Sequence, residues 1–214
     1  MSKLFDMNHP IWRFMGKLVD LALLTGLWFL CSIPIVTIGA STAALYYVSL
    51  KLADDREGYV ISSFFRAFRE NLRQGIAVWL ILLALGLFFG VDLYAYYHVD
   101  ESIGKMIFCV FLILTVLYFM VMTYVFPLMA RCAMTVKQIF LTAFVMALKN
   151  VGWSILMIVC GACLLALGLF VMAPLLALSV GLIAYVNSKI MNMLFAHYHL
   201  NLENEEKRTC YIQN

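Results

Sequence analysis

Long apolar runs alternate with short polar segments along most of the chain, and this pattern predicts membrane-spanning helices. The first run extends from about Phe14 to Ile33 and ends at Pro34, because proline cannot continue a helical hydrogen-bond ladder. Four later runs are each long enough to cross a hydrocarbon core of about 30 Å. They cover Gly75 to about Tyr97, about Lys105 to Met129, Val151 to Met172, and Pro174 to about Phe195.

A shorter helix is predicted between the first two of these runs. Residues 34–39 read as a tight apolar turn, after which Ser41 and Thr42 can cap a new helix from about Ala43 to Ala53. This helix is short for a span. It therefore either crosses the membrane, which gives six spans in total, or stays re-entrant or interfacial, which gives five.

Two amphipathic segments follow a different pattern, with one apolar side and one polar side. In Ser62–Gln74 the apolar side consists of Phe64, Phe65, Phe68 and Leu72, and the charged side of Arg66, Arg69, Glu70 and Arg73. The second segment extends from Thr135 to Asn150. Such helices suit the headgroup region of a membrane or a partner protein.

The distribution of cations favours six spans with both chain ends in the cytoplasm. In that topology 14 of the 15 lysines and arginines lie on one side and Lys105 alone lies on the other. Five spans would divide them 11 to 4. Because lysine and arginine are concentrated in cytoplasmic loops, both amphipathic helices are predicted to be cytoplasmic.

A shift of 76 residues brings two parts of the chain into register and predicts an internal parallel repeat, with units of about 43–98 and 105–172. Each unit would be a span, an amphipathic cytoplasmic helix and a second span. The shift pairs Arg73-Gln74 with Lys149-Asn150, and the small residues Gly86 and Gly90 with Ala162 and Ala166. Small residues four apart let helix backbones approach closely in lipid.

Composition narrows the class further. Hydrophobic residues make up 64% of the chain and charged residues 13%, about half of the charged fraction usual in soluble domains. We therefore expect an all-α, polytopic helical membrane bundle, with residues 1–198 as one membrane domain and 199–214 as a cytoplasmic tail. The chain contains no nucleotide-binding, serine-hydrolase or zinc-protease motif. We expect no enzyme activity, no cofactor, no metal site and no nucleic-acid binding.

The most polar patch within any span consists of Asn187, Ser188, Lys189 and Asn192. A lysine that snorkels to the cytoplasmic face beside amide neighbours fits it best. Hydrogen bonds from Asn187 or Asn192 to another helix are the alternative.

One stretch resembles a known family: residues 32–46, SIPIVTIGASTAALY, together with Phe64, Phe68, Asn71 and Gln74 before a span that contains Trp79. The chain resembles the YesL-type bacterial membrane proteins over nearly its whole length, and the proline–threonine–glycine turn is the most specific part. The resemblance implies a bacterial plasma-membrane protein without an assigned biochemical function, of a kind often encoded beside sugar-uptake ABC transporter genes. It implies no catalytic or ligand residues.

Two functions are compatible with these features. The first is a non-enzymatic accessory or scaffold component associated with carbohydrate uptake, which binds lipid or ABC-type transporter subunits and could form a homo-oligomer. The residues predicted to bind a partner or lipid are Arg66, Arg69, Asn71, Arg73, Gln74, Lys149 and Asn150. Those predicted to pack helices together are Pro34, Gly39, Gly86, Gly90, Ala162 and Ala166. The alternative is a small transporter or channel with a path between the two repeats.

Overall fold

The computed structural model describes residues 10–54, 59–97, 102–171 and 173–197, and side chains in 15–54, 59–97, 103–166 and 179–196. Within these ranges the regular elements are α-helices joined by short connections, with one 3-10 turn at Ile35–Thr37. The helices are α1 (Pro10–Ser32), α2 (Ile38–Ala53), α3 (Val60–Tyr97), α4 (Ser102–Arg131), α5 (Val136–Lys149), α6 (Val151–Val171) and α7 (Ala173–His197). The predicted tail, 199–214, lies outside the described residues.

Four helical stretches of the described chain are long and apolar enough to cross a membrane: Met15–Ser32, Ile35–Ala53, Val60–Tyr97 and Ile103–Arg131. Taken together, α5 and α6 would form a fifth, but they meet at an angle of 98°. The expected helical bundle of a membrane protein is confirmed at this level. The count of six spans stays a prediction, because the side chains of α7 are described only from Ser179 onward.

The short second helix proves to be the centre of the bundle. It packs against α1, α3, α4 and α7, and most of its side chains are buried. It begins at Ile38, so the prediction that Ser41 and Thr42 cap it is wrong. Both hydroxyls lie in the first turn and donate to the Ile38 carbonyl, at 3.0 and 2.7 Å.

Small residues explain why α2 can occupy the centre. At Gly39 an added Cβ would collide with the Gly75 carbonyl and lie 2.6 Å from the Cβ of Trp79. At Gly75 it would lie 2.7 Å from the Cα of Ala40. The backbones of α2 and α3 therefore touch, as helices in lipid do where small residues face each other. Gly39 lies at the closest approach of the two backbones.

The first cationic segment is not a separate helix. Residues 62–74 and the predicted span that follows form one unbroken helix of 38 residues, α3, so the cationic segment does not turn to lie along a membrane surface. Its buried side consists of Val60, Phe64, Ala67, Asn71, Gly75, Val78 and Leu82. Phe65, predicted on the apolar side, is exposed.

The second amphipathic segment behaves differently. α5 starts with a capping box between Thr135 and Gln138 and stops at Asn150, where the chain bends by 98° into α6. Asn150 leaves helical geometry at φ −122° and ψ 47°, and its side-chain amide donates to the Met146 carbonyl at 3.1 Å. A helix at this angle would lie along the membrane surface if α6 crosses the membrane, which is the prediction for an amphipathic helix.

The helix starts agree with the predicted repeat, because Val60 and Val136 begin α3 and α5 and are 76 residues apart. The geometry of the two copies differs, because the first is one unbroken helix and the second is two helices at 98°. The repeat remains a prediction.

Replacing Gly75 with alanine should destabilise the protein by about 1–3 kcal/mol, the usual cost of overpacking, because the new Cβ meets the backbone of α2. Gly90→Ala is the matched control, since nothing lies within 4 Å of a Cβ at Gly90. Thermal unfolding in detergent measures both. Equal melting temperatures would contradict the close contact between α2 and α3.

Candidate functional site

The exposed side of α3 carries a strip of arginines. Arg66, Arg69 and Arg73 are all exposed, and their spacing of three and four residues places them on one helix face. Glu70 lies among them and is also exposed. We call Arg66, Arg69 and Arg73 the arginine strip. Because it is part of an unbroken helix, the backbone positions of the three arginines hold a fixed spacing.

Tyr47 of α2 anchors one end of the arginine strip. Arg66 donates from Nη2 to the Tyr47 hydroxyl at 3.0 Å, and the Lys51 ammonium lies 4.9 Å from the centre of the Tyr47 ring. A cation over an aromatic ring at this distance is stabilised by the ring's charge distribution. The basic surface therefore extends from α3 onto α2, with Tyr47 between two cations.

Asn71 does not belong to this surface, contrary to the prediction. It is only 6% exposed, and its side-chain amide donates to the Ala67 carbonyl one turn earlier, at 2.8 Å. The amide is thus used inside α3, and the residue faces the core. The sequence did not predict this, because Asn71 lies between arginines. The buried side of α3 is also rotated away from the predicted phenylalanine stripe.

Gln74 is directed inward as well. Its Nε2 donates to the Met134 carbonyl at 2.5 Å, which ties the middle of α3 to the connection between α4 and α5. In the predicted repeat it corresponds to Asn150, which instead ends α5. Lys149, the partner of Arg73 in the repeat, is exposed at the end of α5. Of the seven predicted binding residues, four are exposed cations and three are amides used within the fold.

The predicted packing residues fall into two groups: some face another helix and the others are exposed. At Gly86 a Cβ would lie 3.0 Å from the hydroxyl of Tyr118 on α4, so this position does face another helix. Gly90, Ala162 and Ala166 are exposed, and Pro34 is exposed at the turn between α1 and α2. The second small pair, Ala162 and Ala166, is therefore not used for packing within the described chain.

A polar network that the sequence did not reveal joins three helices at the end of the bundle where α2 and α4 terminate. Arg131 of α4 donates to Asn192 Oδ1 of α7 at 2.6 Å. Asn192 Nδ2 in turn lies 2.7 Å from Asp54 Oδ1 and 3.2 Å from the Leu50 carbonyl. The Arg131 guanidinium also lies 4.6 Å from the centre of the Phe195 ring. Of these residues, the sequence singled out only Asn192, as part of the polar patch. Arg131 was one of the 14 cations assigned to the same side of the membrane.

A second polar contact lies five residues earlier in α7, at Asn187. The Asn187 amide donates to the Tyr46 hydroxyl of α2 at 3.3 Å, and both residues are buried. Both asparagines of the polar patch therefore bond to α2, which is the interhelical alternative considered for it. Lys189 is exposed, with its ammonium 5.2 Å from the Tyr185 ring.

The contact between the two predicted repeat units is largely aromatic where α3 meets α4. The Tyr118 hydroxyl donates to the Leu82 carbonyl at 2.8 Å, and Phe89 and Tyr118 have ring centres 5.8 Å apart. Further along, the rings of Tyr96 and Phe111 stack at 5.9 Å.

Titratable side chains give no metal centre in the part of the chain that the structure describes, where no three His, Cys, Asp or Glu residues are grouped to hold an ion. The chemistry offered by the exposed surface is that of guanidinium and ammonium groups. Such groups bind carboxylates and phosphates.

Comparison with known proteins supports the expected resemblance. A family model described as "Protein of unknown function, DUF624" matches residues 21–93, which contain α2 and nearly all of α3. The chain is 26% identical over 204 residues to "Uncharacterized protein YesL" of Bacillus subtilis (strain 168), with 94% of each chain covered. No solved structure matches the chain significantly. The resemblance to YesL-type proteins is confirmed.

Asn192→Leu should destabilise the bundle by about 2 kcal/mol, because it removes a charge-assisted hydrogen bond and leaves Arg131 with one fewer acceptor in a partly buried site. Met193→Leu is the control, since Met193 is the neighbouring residue and is exposed. The free energy of unfolding in detergent separates them. A loss no larger for Asn192→Leu than for Met193→Leu would show that the network contributes little.

Proposed function

We propose that this chain, which resembles the YesL-type proteins, is a non-enzymatic accessory or scaffold component of a plasma membrane that associates with a carbohydrate-uptake system. The observation that carries the proposal is the arginine strip, a row of exposed cations on a helix that is locked to the centre of the bundle. The link to carbohydrate uptake rests on the resemblance alone, which implies genes for sugar-uptake ABC transporters nearby.

The arrangement of the strip supports a docking role. Arg66 is oriented by Tyr47, and the helix backbone under Arg69 and Arg73 is held against α2 at Gly75. A partner therefore meets one arginine whose side chain is already ordered and two that stand on a rigid backbone, which reduces the entropy lost on binding. The matching surface on a transporter subunit would be a cytoplasmic segment rich in aspartate or glutamate, because guanidinium groups pair with carboxylates in a fixed geometry.

The charge distribution supports an orientation with the arginine strip in the cytoplasm. Arg131 and Asp54 lie at the same end of the bundle as the start of α3, whereas Lys105 lies near the start of α4 at the other end. An excess of lysine and arginine on one side is typical of the cytoplasmic face. Both chain termini then lie in the cytoplasm as well.

Charge reversal of two exposed arginines tests the proposal. In Arg69→Glu/Arg73→Glu we expect the amount of sugar-transporter subunits recovered with the protein from native membranes to fall about tenfold or more, because juxtaposed like charges cost several kcal/mol. Arg66 is kept, so its bond to Tyr47 is undisturbed. Lys105→Glu is the control, since it reverses a cation at the opposite end.

The outcome that contradicts the proposal is specific. If the double variant is inserted normally, and transporter subunits are recovered in equal amounts from it, from Lys105→Glu and from the native chain, the arginine strip is not the docking surface. If the native chain is recovered without transporter subunits, the association with carbohydrate uptake is wrong.

A further inference from the structure

The turn between α1 and α2 lies beside the middle of α3 rather than beside its far end. α2 packs antiparallel to α3, with Gly39 against Gly75 and Tyr47 bonded to Arg66. In this antiparallel pair, each step along α2 toward its start corresponds to one step along α3 toward its end. Extending the pairing places the Ile35–Thr37 turn at about the level of Trp79. On the α1 side, Ser32 shares a hydrogen bond of 2.7 Å with Ser41, which by the same pairing is level with Arg73, so α1 ends about 9 Å short of the turn.

Beyond Trp79, α3 extends past the α1–α2 hairpin and packs against α4. The 18 residues that follow Trp79, up to Tyr97, add about 27 Å at the rise of an α-helix. Many side chains in this part are apolar and exposed, among them Leu87, Phe88 and Val91. Such a surface requires lipid, so the membrane must cover this half of α3.

The arginine strip sets the lower limit of the hydrocarbon layer. Exposed arginines are costly in hydrocarbon, so Arg73 must lie at or below the headgroups. The 23 residues from Gly75 to Tyr97 then measure about 33 Å, which matches a hydrocarbon core of about 30 Å. On this scale the turn beside Trp79 is about 6–9 Å inside the layer and far from its opposite face.

The chemistry of the turn fits that position. Ile33, Ile35 and Val36 are 75%, 66% and 46% exposed, so the tip of the hairpin is apolar. Thr37 satisfies the backbone around it: its N–H donates to the Pro34 carbonyl at 2.9 Å, and its hydroxyl lies 2.7 Å from the Cys31 carbonyl. Pro34 has no N–H to satisfy. These bonds pair the Thr37 N–H and the Pro34 and Cys31 carbonyls, and each pairing lowers the cost of placing the reversal in the outer part of the hydrocarbon layer.

We propose that α1 and α2 form a re-entrant hairpin, which enters the membrane from the side of the arginine strip, buries its tip Ile33–Val36 among lipid acyl chains and returns to the same side. Only α3, α4, α6 and α7 then cross. The helices of the hairpin are also less apolar than α3 and α4. The cation count that favoured six spans is unchanged, because a hairpin and a pair of spans both return the chain to its starting side.

Spin labels at four exposed positions test the depth of the tip. Single cysteines replace Val36, Leu80, Arg73 and Tyr94 in a chain whose six native cysteines are replaced by serine or alanine. After reconstitution in phosphatidylcholine–phosphatidylglycerol vesicles, relative accessibility to oxygen and to a polar nickel complex reports immersion. We expect Val36→Cys and Leu80→Cys to be immersed to a similar depth, and Arg73→Cys and Tyr94→Cys to lie at the two boundaries.

The proposal is overturned if the label at Val36 is no more immersed than the label at Tyr94, because the tip would then lie in a headgroup region as in six spans. It is also overturned if a membrane-impermeant maleimide reacts with Val36→Cys from outside intact cells as readily as with Ile103→Cys, near the outer end of α4.

A second measurement keeps the native cysteines. Val36→Lys should reduce the amount of folded protein in the membrane several-fold relative to Val36→Ala, because a lysine at the tip would have to enter hydrocarbon. Equal amounts of the two variants would overturn the proposal, since a tip in water tolerates lysine. Neither measurement depends on a transporter partner, so a failure here is distinguishable from a failure of the docking proposal.

Discussion

The backbone contact between α2 and α3 is the constraint on which the rest of the structure depends. Gly39 and Gly75 bring the two helices closer than any side chain would permit. This contact holds α2 in the centre, where α1, α4 and α7 pack around it. α3 is unbroken at Gln74, so the cationic segment and the apolar segment belong to one helix. The height of the α1–α2 turn follows from the same contact.

The same constraint explains why two segments with matching sequence adopt different shapes. In α3, Gly75 lies against α2, and the helix continues through it. In the second copy the corresponding residue is Val151, whose side chain is exposed, and Asn150 has already ended α5 by bonding back to Met146. A similar pattern of apolar and polar residues is therefore compatible with a straight helix or a bent pair, depending on what packs against the junction.

Polar residues within the bundle serve two different purposes. The amides Asn71, Gln74, Asn187 and Asn192 satisfy backbone or side-chain groups inside the fold. In a low-dielectric environment an unpaired amide group is costly, so the bonds that Gln74, Asn187 and Asn192 make to other parts of the fold help to define one arrangement of the helices. The arginines of α3, in contrast, stay at the surface. Interior amides thus hold the bundle together, and the surface cations remain for lipid or a partner.

The sequence by itself determined the helical class, most helix boundaries and the exposed cations, because these follow from apolar run length, proline and local periodicity. It also pointed to Gly39 and to the polar patch on α7. It could not show that Asn71 faces inward, that Arg131 meets Asn192, or that α3 is unbroken at Gln74. Those features depend on which helix lies opposite, and residues as distant as Gly39 and Gly75 meet only when the whole bundle is assembled. The level of the α1–α2 turn relative to α3 was likewise decided by tertiary packing, because composition records how apolar a segment is and not how deep its neighbours place it.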